Sequence, residues 1–131
     1  MTDADGNSVQ QRRAVVIIDD DPALLHSLTF ALELEGYAVT PYRDAAETLS
    51  AAELPPAGCM VVDYVLPDMD GIELIAALRA RGVAMPAILI TSHPGPELLR
   101  RALTVGTRVI EKPLLTDTLS EAIASSFPAG Q

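Results

Sequence analysis

The chain has 131 residues, a formal net charge of −9 and 49% hydrophobic residues, which suits one domain with a real core and excludes a disordered chain. The acidic balance argues against binding nucleic acid through a basic surface. No run approaches the roughly 18 apolar residues of a membrane span, and the polar N-terminus lacks a signal peptide, so we expect a soluble cytoplasmic protein.

The first predicted element is a strand over residues 14–18, a continuous apolar run without a polar face. Such runs are typical of strands buried on both faces, as in parallel sheets. A helix is predicted next, opened by Asp21-Pro22 and closed by Gly36, because Asp, Pro and Gly favour its cap, first and last positions. The apolar residues at helical spacing in this segment are Leu24, Leu28, Ala31 and Leu32.

The same alternation continues along the chain. Further strands are predicted over residues 37–40, 59–62, 87–90 and 108–110, and further helices over 44–52, 71–78, 97–105 and 117–125. Alternating strands and helices imply parallel pairing through right-handed crossovers. We therefore expect a (βα)5 α/β fold, a doubly wound, flavodoxin-like five-stranded parallel sheet with five helices. It should span residues 13–127, with a mobile tail at 1–12 and a C-terminal tail at 128–131.

The single cysteine, Cys59, lies in an apolar strand and is interpreted as a small buried hydrophobe.

Polar residues follow four of the predicted strands. They are Asp19, Asp20 and Asp21 after the first, Asp63 after the third, Thr91 after the fourth and Lys112 after the fifth. Doubly wound sheets form their sites at the carboxyl ends of strands, near the topological switch point, so these side chains are expected to converge. Singly, each has a simpler interpretation: Asp21 and Thr91 suit helix caps, and Asp19 and Asp20 could solubilise a strand end.

Together, the carboxylates predict a divalent metal site. Two like charges at about 4 Å cost on the order of 4 kcal/mol at an effective dielectric of 20, and a hard cation relieves that cost. Oxygen ligands favour Mg²⁺ or Mn²⁺. Asp63 could then act as a nucleophile forming an aspartyl phosphate. The metal and Lys112 would neutralise charge on the transferring group, and Thr91 could donate a hydrogen bond to it.

Four segments resemble the receiver domains of two-component response regulators. They are Val-Ile-Ile-Asp-Asp-Asp-Pro at 16–22, Val-Val-Asp-Tyr-Val-Leu-Pro-Asp-Met-Asp-Gly at 61–71, Ile-Leu-Ile-Thr-Ser at 88–92 and Ile-Glu-Lys-Pro at 110–113. The resemblance covers residues 13–127. It implies a signalling phosphoacceptor rather than a turnover enzyme, one that catalyses its own phosphorylation and slow dephosphorylation. It also implies a sensor histidine kinase or phosphotransfer protein as the phosphate donor.

The resemblance also implies roles for single residues. Asp63 resembles the phosphoacceptor, and Asp19 and Asp20 resemble the acidic pair that holds Mg²⁺, with Asp20 the more direct ligand. The backbone carbonyl of Val65 matches a further metal-binding position. Thr91 resembles the switch hydroxyl. Lys112 resembles the lysine that pairs with the phosphoryl group, and a cis peptide is expected between it and Pro113.

The resemblance implies that the face formed by the fourth helix, fifth strand and fifth helix transmits the signal to other proteins. The same face could also mediate a homodimer. Two departures affect this face: Val109 stands where the family often has Tyr or Phe, and residues 106–109 form a stretch one residue shorter than usual. The predicted output residues are Val109, Arg100, Arg101 and Arg108. The arginines are expected on the outer face, either as a basic patch for an acidic partner or as a solvated surface with a Glu97–Arg101 pair.

Two other functions remain open from the sequence. A pseudo-receiver would keep the fold as a binding module without phosphotransfer, although such domains usually lose an acid or the lysine, and this chain retains both. A phosphohydrolase of the haloacid-dehalogenase type would need an acid two residues after the nucleophile. That position is Val65, which argues against it. Because Val65 also cannot orient water, an aspartyl phosphate on Asp63 is expected to be long-lived.

Overall fold

The computed structural model describes residues 13–51, 54, 58–114 and 116–127. Its strands are β1 (Ala14–Ile18), β2 (Ala38–Tyr42), β3 (Gly58–Asp63), β4 (Ala87–Thr91) and β5 (Thr107–Glu111). Its helices are α1 (Pro22–Leu34), α2 (Ala45–Ser50), α3 (Gly71–Ala80), α4 (Pro96–Val105) and α5 (Thr116–Ser125). The tails expected at 1–12 and 128–131 lie outside the described residues.

All five strands pair in parallel in the order β2-β1-β3-β4-β5. The chain moves from β1 outward to β2 and then returns across β1 to β3, so the topological switch point lies between β1 and β3. Ile18 pairs with Val62 across these two strands. The residues that follow them, Asp19 and Asp63, are therefore neighbours at the carboxyl edge. The predicted doubly wound α/β fold is confirmed.

The central strands are buried on both faces, as their uninterrupted apolar sequences predict. Since side chains alternate along a strand, each strand contributes to two cores. The residues on the side covered by α1 and α5 include Val15, Ile17, Cys59, Leu25 and Ile123. Those on the side covered by α3 and α4 include Val16, Ile18, Met60, Leu74 and Leu98. Cys59 is fully buried, as predicted, and burial raises the pKa of its thiol.

Acidic residues begin three of the helices. Asp21 accepts hydrogen bonds from the backbone N–H groups of residues 23 and 24, which confirms its predicted capping role. Asp44 caps α2 through the N–H of Glu47. Asp70 begins α3 in a capping box with Glu73, in which each side chain accepts a hydrogen bond from the other residue's backbone. These caps fix where the chain leaves the carboxyl edge of the sheet.

Candidate functional site

The predicted polar residues converge at the carboxyl edge of the sheet. Asp19, Asp20 and Asp63 each place a carboxylate oxygen within 4.8 Å of the others. Nζ of Lys112 lies 3.3 Å from Oδ1 of Asp63. Thr91 ends β4 and is buried beside them. Parallel strands bring these distant sequence positions together because all their carboxyl ends share one edge.

Burial sets the electrostatics of this carboxylate cluster. Asp19 and Asp63 are 1% and 4% exposed, whereas Asp20 is exposed. Burial raises the pKa of Asp19 from 3.8 to about 6; the negative charge of Asp63 adds to this rise, and the hydrogen bond from the Asp21 amide opposes it. Burial also raises the pKa of Asp63, although the ammonium of Lys112 works in the opposite direction.

The cluster fits a hard divalent cation. Among the described residues, neither Oδ2 of Asp19 nor Oδ1 of Asp63 has a hydrogen-bond partner, although both atoms are buried. Lys112 is close enough to Asp63 to form an ion pair but is not aligned to donate a hydrogen bond. Buried carboxylate oxygens without donors are costly, and a cation with oxygen ligands satisfies them. The donor set therefore suits Mg²⁺ or Mn²⁺.

The ends of β4 and β5 are tied directly to each other. The backbone N–H of Lys112 donates to the carbonyl oxygen of Thr91 over 2.8 Å. The Thr91 hydroxyl oxygen accepts a long hydrogen bond of 3.4 Å from the N–H of His93. This contact lies within the loop that Thr91 begins. Thr91 does not cap α4, because the N-cap residue there is Gly95. The peptide between Lys112 and Pro113 is cis, as predicted.

A receiver-domain profile matches the chain. The profile is that of the response regulator receiver domain, and it covers residues 15–124. The chain belongs to this family. None of the helices among the described residues of this receiver domain is long and apolar enough to cross a bilayer.

Curated relatives and solved structures agree with this membership. The transcriptional regulatory protein FixJ of Azorhizobium caulinodans is 38% identical over 114 residues, covering 86% of this chain and 54% of FixJ. The probable transcriptional regulatory protein TcrX of Mycobacterium tuberculosis is 32% identical, covering 81% of this chain and 44% of TcrX. A CheY-like receiver domain from Methanospirillum hungatei superposes with a TM-score of 0.79 at 33% identity, covering 88% of this chain and 93% of that one. The receiver domain thus spans about half the length of the curated relatives.

The loop after Asp63, residues 64–70, brings its two ends close together. The N–H of Tyr64 donates to the carbonyl of Ile90, and the N–H of Gly71 donates to the carbonyl of Tyr64. Val65 lies in this loop with its side chain 68% exposed. Metal binding by its carbonyl stays a prediction. We call residues 64–70 the β3–α3 loop.

Asp68 anchors this loop on one side, a role that the sequence analysis missed. Its carboxylate accepts hydrogen bonds from the N–H groups of Ala45, at 3.1 Å, and Ala46, at 2.8 Å. These bonds lower the pKa of Asp68. An acid between Pro67 and Met69 carries no local signal for this contact, because its partners precede it by more than 20 residues.

Arg101 anchors the loop on the other side, and this corrects a prediction. Nη2 of Arg101 lies 3.0 Å from Oδ2 of Asp70, and Nη1 lies 3.2 Å from the Tyr64 hydroxyl. The expected Glu97–Arg101 pair is wrong, because Glu97 pairs with Arg100 instead. Both arginines are within reach of Glu97 by helical spacing, but Arg101 instead forms an ion pair with the partly buried carboxylate of Asp70.

The remaining predicted output residues lie where the sequence placed them. Arg108 is exposed and donates to the Ser125 hydroxyl over 3.1 Å. Arg100 is also exposed. Val109 is partly buried against the core on the α3–α4 side. With Arg101 turned toward Asp70, the outer basic patch consists of Arg100 and Arg108 only, and its role in output stays a prediction.

Proposed function

We propose that this receiver domain accepts a phosphoryl group on Asp63 in a Mg²⁺- or Mn²⁺-dependent reaction. The donor would be a sensor histidine kinase or a phosphotransfer protein. The observation that carries the proposal is the juxtaposition of the carboxylates of Asp19, Asp20 and Asp63, with the Lys112 ammonium 3.3 Å from Asp63. Family membership supports the same chemistry, since receiver domains act in two-component signalling.

In the proposed reaction, an ionised carboxylate oxygen of Asp63 attacks the phosphorus of a phosphohistidine. A P–O bond forms to Asp63 as the P–N bond to the imidazole breaks, and the electron pair leaves with the ring nitrogen. Lys112 offsets the negative charge that the phosphoryl group brings. Thr91 would donate its hydroxyl to a phosphoryl oxygen after releasing the long hydrogen bond from His93.

Asp19, Asp20, Asp63 and the carbonyl of Val65 would hold the cation, which would supply positive charge beside the phosphoryl oxygens. The protein would thus be a signalling phosphoacceptor that catalyses its own phosphorylation and slow dephosphorylation, rather than an enzyme that turns over a substrate. The pKa of Asp63 is raised by burial, so a nearby cation also favours the ionised, nucleophilic form.

Intact-mass measurement after incubation with acetyl phosphate and Mg²⁺ tests the proposal. One phosphoryl adduct should form in the native protein and in Asp21→Asn, whose asparagine can still cap α1. It should be absent in Asp63→Asn. Equal adduct in Asp63→Asn would place the phosphoryl group elsewhere. No adduct in the native protein, with Mg²⁺ binding demonstrated, would favour the pseudo-receiver.

We also propose that the output face, formed by α4, β5 and α5, contacts a second copy of the domain. Leu99 and Leu103 of α4 are 44% and 80% exposed, which supports an apolar contact there. Sedimentation velocity with and without beryllofluoride should show a shift to dimer when the phosphoryl mimic is bound. Leu103→Glu should abolish that shift, and a monomer under both conditions would contradict the proposal.

A further inference from the structure

Arg101 connects α4 to both ends of the β3–α3 loop. Its guanidinium lies 3.0 Å from Oδ2 and 3.3 Å from Oδ1 of Asp70, which begins α3, and 3.2 Å from the hydroxyl of Tyr64, which follows Asp63 directly. The Arg101 and Asp70 side chains are 30% and 25% exposed. Both arginines contact two carboxylate oxygens, but the pair of Arg101 with Asp70 is partly buried and therefore less screened by solvent than the exposed pair of Arg100 with Glu97.

The position of Tyr64 is itself fixed to the site. Its N–H donates to the carbonyl of Ile90 in β4 and its carbonyl accepts from the N–H of Gly71, the first residue of α3, so its backbone is tied to both elements. The N-cap of α4, Gly95, offers no side chain to hydrogen-bond the first turn of the helix. A movement of the backbone beside Asp63 therefore has a direct polar contact through which to displace α4.

We propose that Arg101 is a positioning residue that couples the β3–α3 loop to α4, so that modification of Asp63 changes the arrangement of this helix. The inference rests on the proposed function. Thr91 and residues 92–95 provide one connection from the site to α4, and the contacts of Arg101 with Tyr64 and Asp70 provide a second. Without the second connection, we expect a change at Asp63 to alter residues 91–95, which lead to the start of α4, but not the rest of the helix.

Amide hydrogen exchange with and without beryllofluoride and Mg²⁺ tests this coupling. In the native protein, beryllofluoride should change exchange in α4 by roughly fivefold or more, within the usual range of coupling between sites. In Arg101→Gln the change should be confined to the site and residues 91–95. Arg101→Lys should behave like Arg101→Gln, because an ammonium keeps the charge but cannot contact Asp70 and the Tyr64 hydroxyl through two separate nitrogens. Tyr64→Phe should weaken the response without changing any charge.

Arg100→Gln is the matched control, since it removes the same charge from the neighbouring position and should respond like the native protein. Fluorine NMR of bound beryllofluoride separates the two hypotheses. If the native protein binds no beryllofluoride and forms no adduct, the proposed function fails. If Arg101→Gln binds it and α4 still responds as in the native protein, the coupling role of Arg101 is overturned. The same holds if the native protein binds it and α4 does not respond.

Discussion

Gly71 lies so close to Asp63 that a Cβ atom at position 71 would be 2.5 Å from the Asp63 carbonyl oxygen. The same Cβ would be 2.8 Å from a methyl group of Leu89. Asp63 ends β3 and Gly71 begins α3, so the β3–α3 loop closes on the backbone of the residue from which it started. The glycine is required by this close approach and not by an unusual backbone angle.

Gly71→Ala is therefore expected to destabilise the domain by about 1–3 kcal/mol, the usual range for overpacking a filled site. Chemical denaturation measures the loss. Gly95→Ser is the control, because a Cβ there meets nothing within 4 Å, its backbone is extended, and serine suits the N-cap position that Gly95 occupies. Its effect should stay within about 0.5 kcal/mol. Equal losses in the two variants would show that the approach to Asp63 is not the cause.

Mg²⁺ should stabilise the native protein and not Asp20→Ala. A ligand that binds only the folded state stabilises it by about 2.7 kcal/mol at 100 times its Kd. Asp20 is exposed, so its removal should leave the fold intact while deleting one ligand. Thermal unfolding with Mg²⁺ and with EDTA gives both values. An Asp20→Ala domain that gains as much from Mg²⁺ as the native domain does would exclude the carboxylate cluster as the metal site.

Asp19→Asn should stabilise the metal-free domain by on the order of 1–2 kcal/mol at pH 7.5, because it removes a buried charge beside Asp63. The asparagine oxygen can still accept from the Asp21 amide, and its NH₂ can donate toward the neighbouring carboxylate. Urea unfolding in EDTA measures the gain.

The gain of Asp19→Asn should fall as the pH is lowered. The pKa of Asp19 is raised to about 6 in the folded state, so its ionised form destabilises the domain fully only above that value. Below pH 6 the native Asp19 becomes protonated, and the penalty shrinks progressively until the pH reaches the ordinary pKa of 3.8. A gain that is unchanged between pH 7.5 and pH 5 would mean that the charge of Asp19 is not responsible.

Val65→Asn should shorten the lifetime of a phosphoryl group on Asp63 several-fold. Val65 is 68% exposed two residues after Asp63, and a valine cannot orient an attacking water, whereas an asparagine can. Intact mass followed over time gives the decay rate. As a control, the phosphorylated native and Val65→Asn domains should decay equally after unfolding in urea. Equal decay in the folded state would contradict the prediction.

Arg79→Met should destabilise the domain by about 2 kcal/mol, since hydrogen bonds from charged groups contribute about 1.5–3 kcal/mol. Its guanidinium donates to three backbone carbonyls, those of Val83, Met85 and Val105, over 3.0, 2.7 and 3.3 Å. Arg81→Met is the control, because the exposed Arg81 donates to one carbonyl, that of Leu49. Similar midpoints for the two variants in denaturant would refute this ranking.

The sheet and its site could be predicted because their signals are local. A continuous apolar run predicts a central strand, and the acid, hydroxyl or lysine that follows each run marks the shared edge. The least regular strand, β2, contains Pro41 and was only partly predicted. Proline is confined to edge strands, and β2 is an edge strand. The roles predicted for Asp63, Thr91 and Lys112 rest on the chemistry of their side chains and on the family resemblance.

The contacts around the β3–α3 loop could not be predicted, since their partners are distant in sequence. Arg101 reaches Tyr64 and Asp70 across 37 and 31 positions. The prediction drawn from helical spacing in α1 was also incomplete. It showed that Leu24, Leu28 and Ala31 share a face, but not that this face lines a groove of about 260 Å³ with Leu114 and Leu119 of the C-terminal region.

A single residue, Gly106, connects α4 to β5. It adopts a left-handed conformation with φ of 67°, and Arg79 holds the carbonyl of Val105 just before it. Because α4 is held at this end, we expect a change at the site to displace its N-terminal end, near Pro96, more than Val105. At 1.5 Å per residue the helix is about 15 Å long, so a small rotation about its C-terminal end has its largest effect at Pro96. A second copy that distinguishes the phosphorylated form would therefore sense the change mainly at Leu99, whereas Leu103, nearer the fixed end, would contribute apolar contact area.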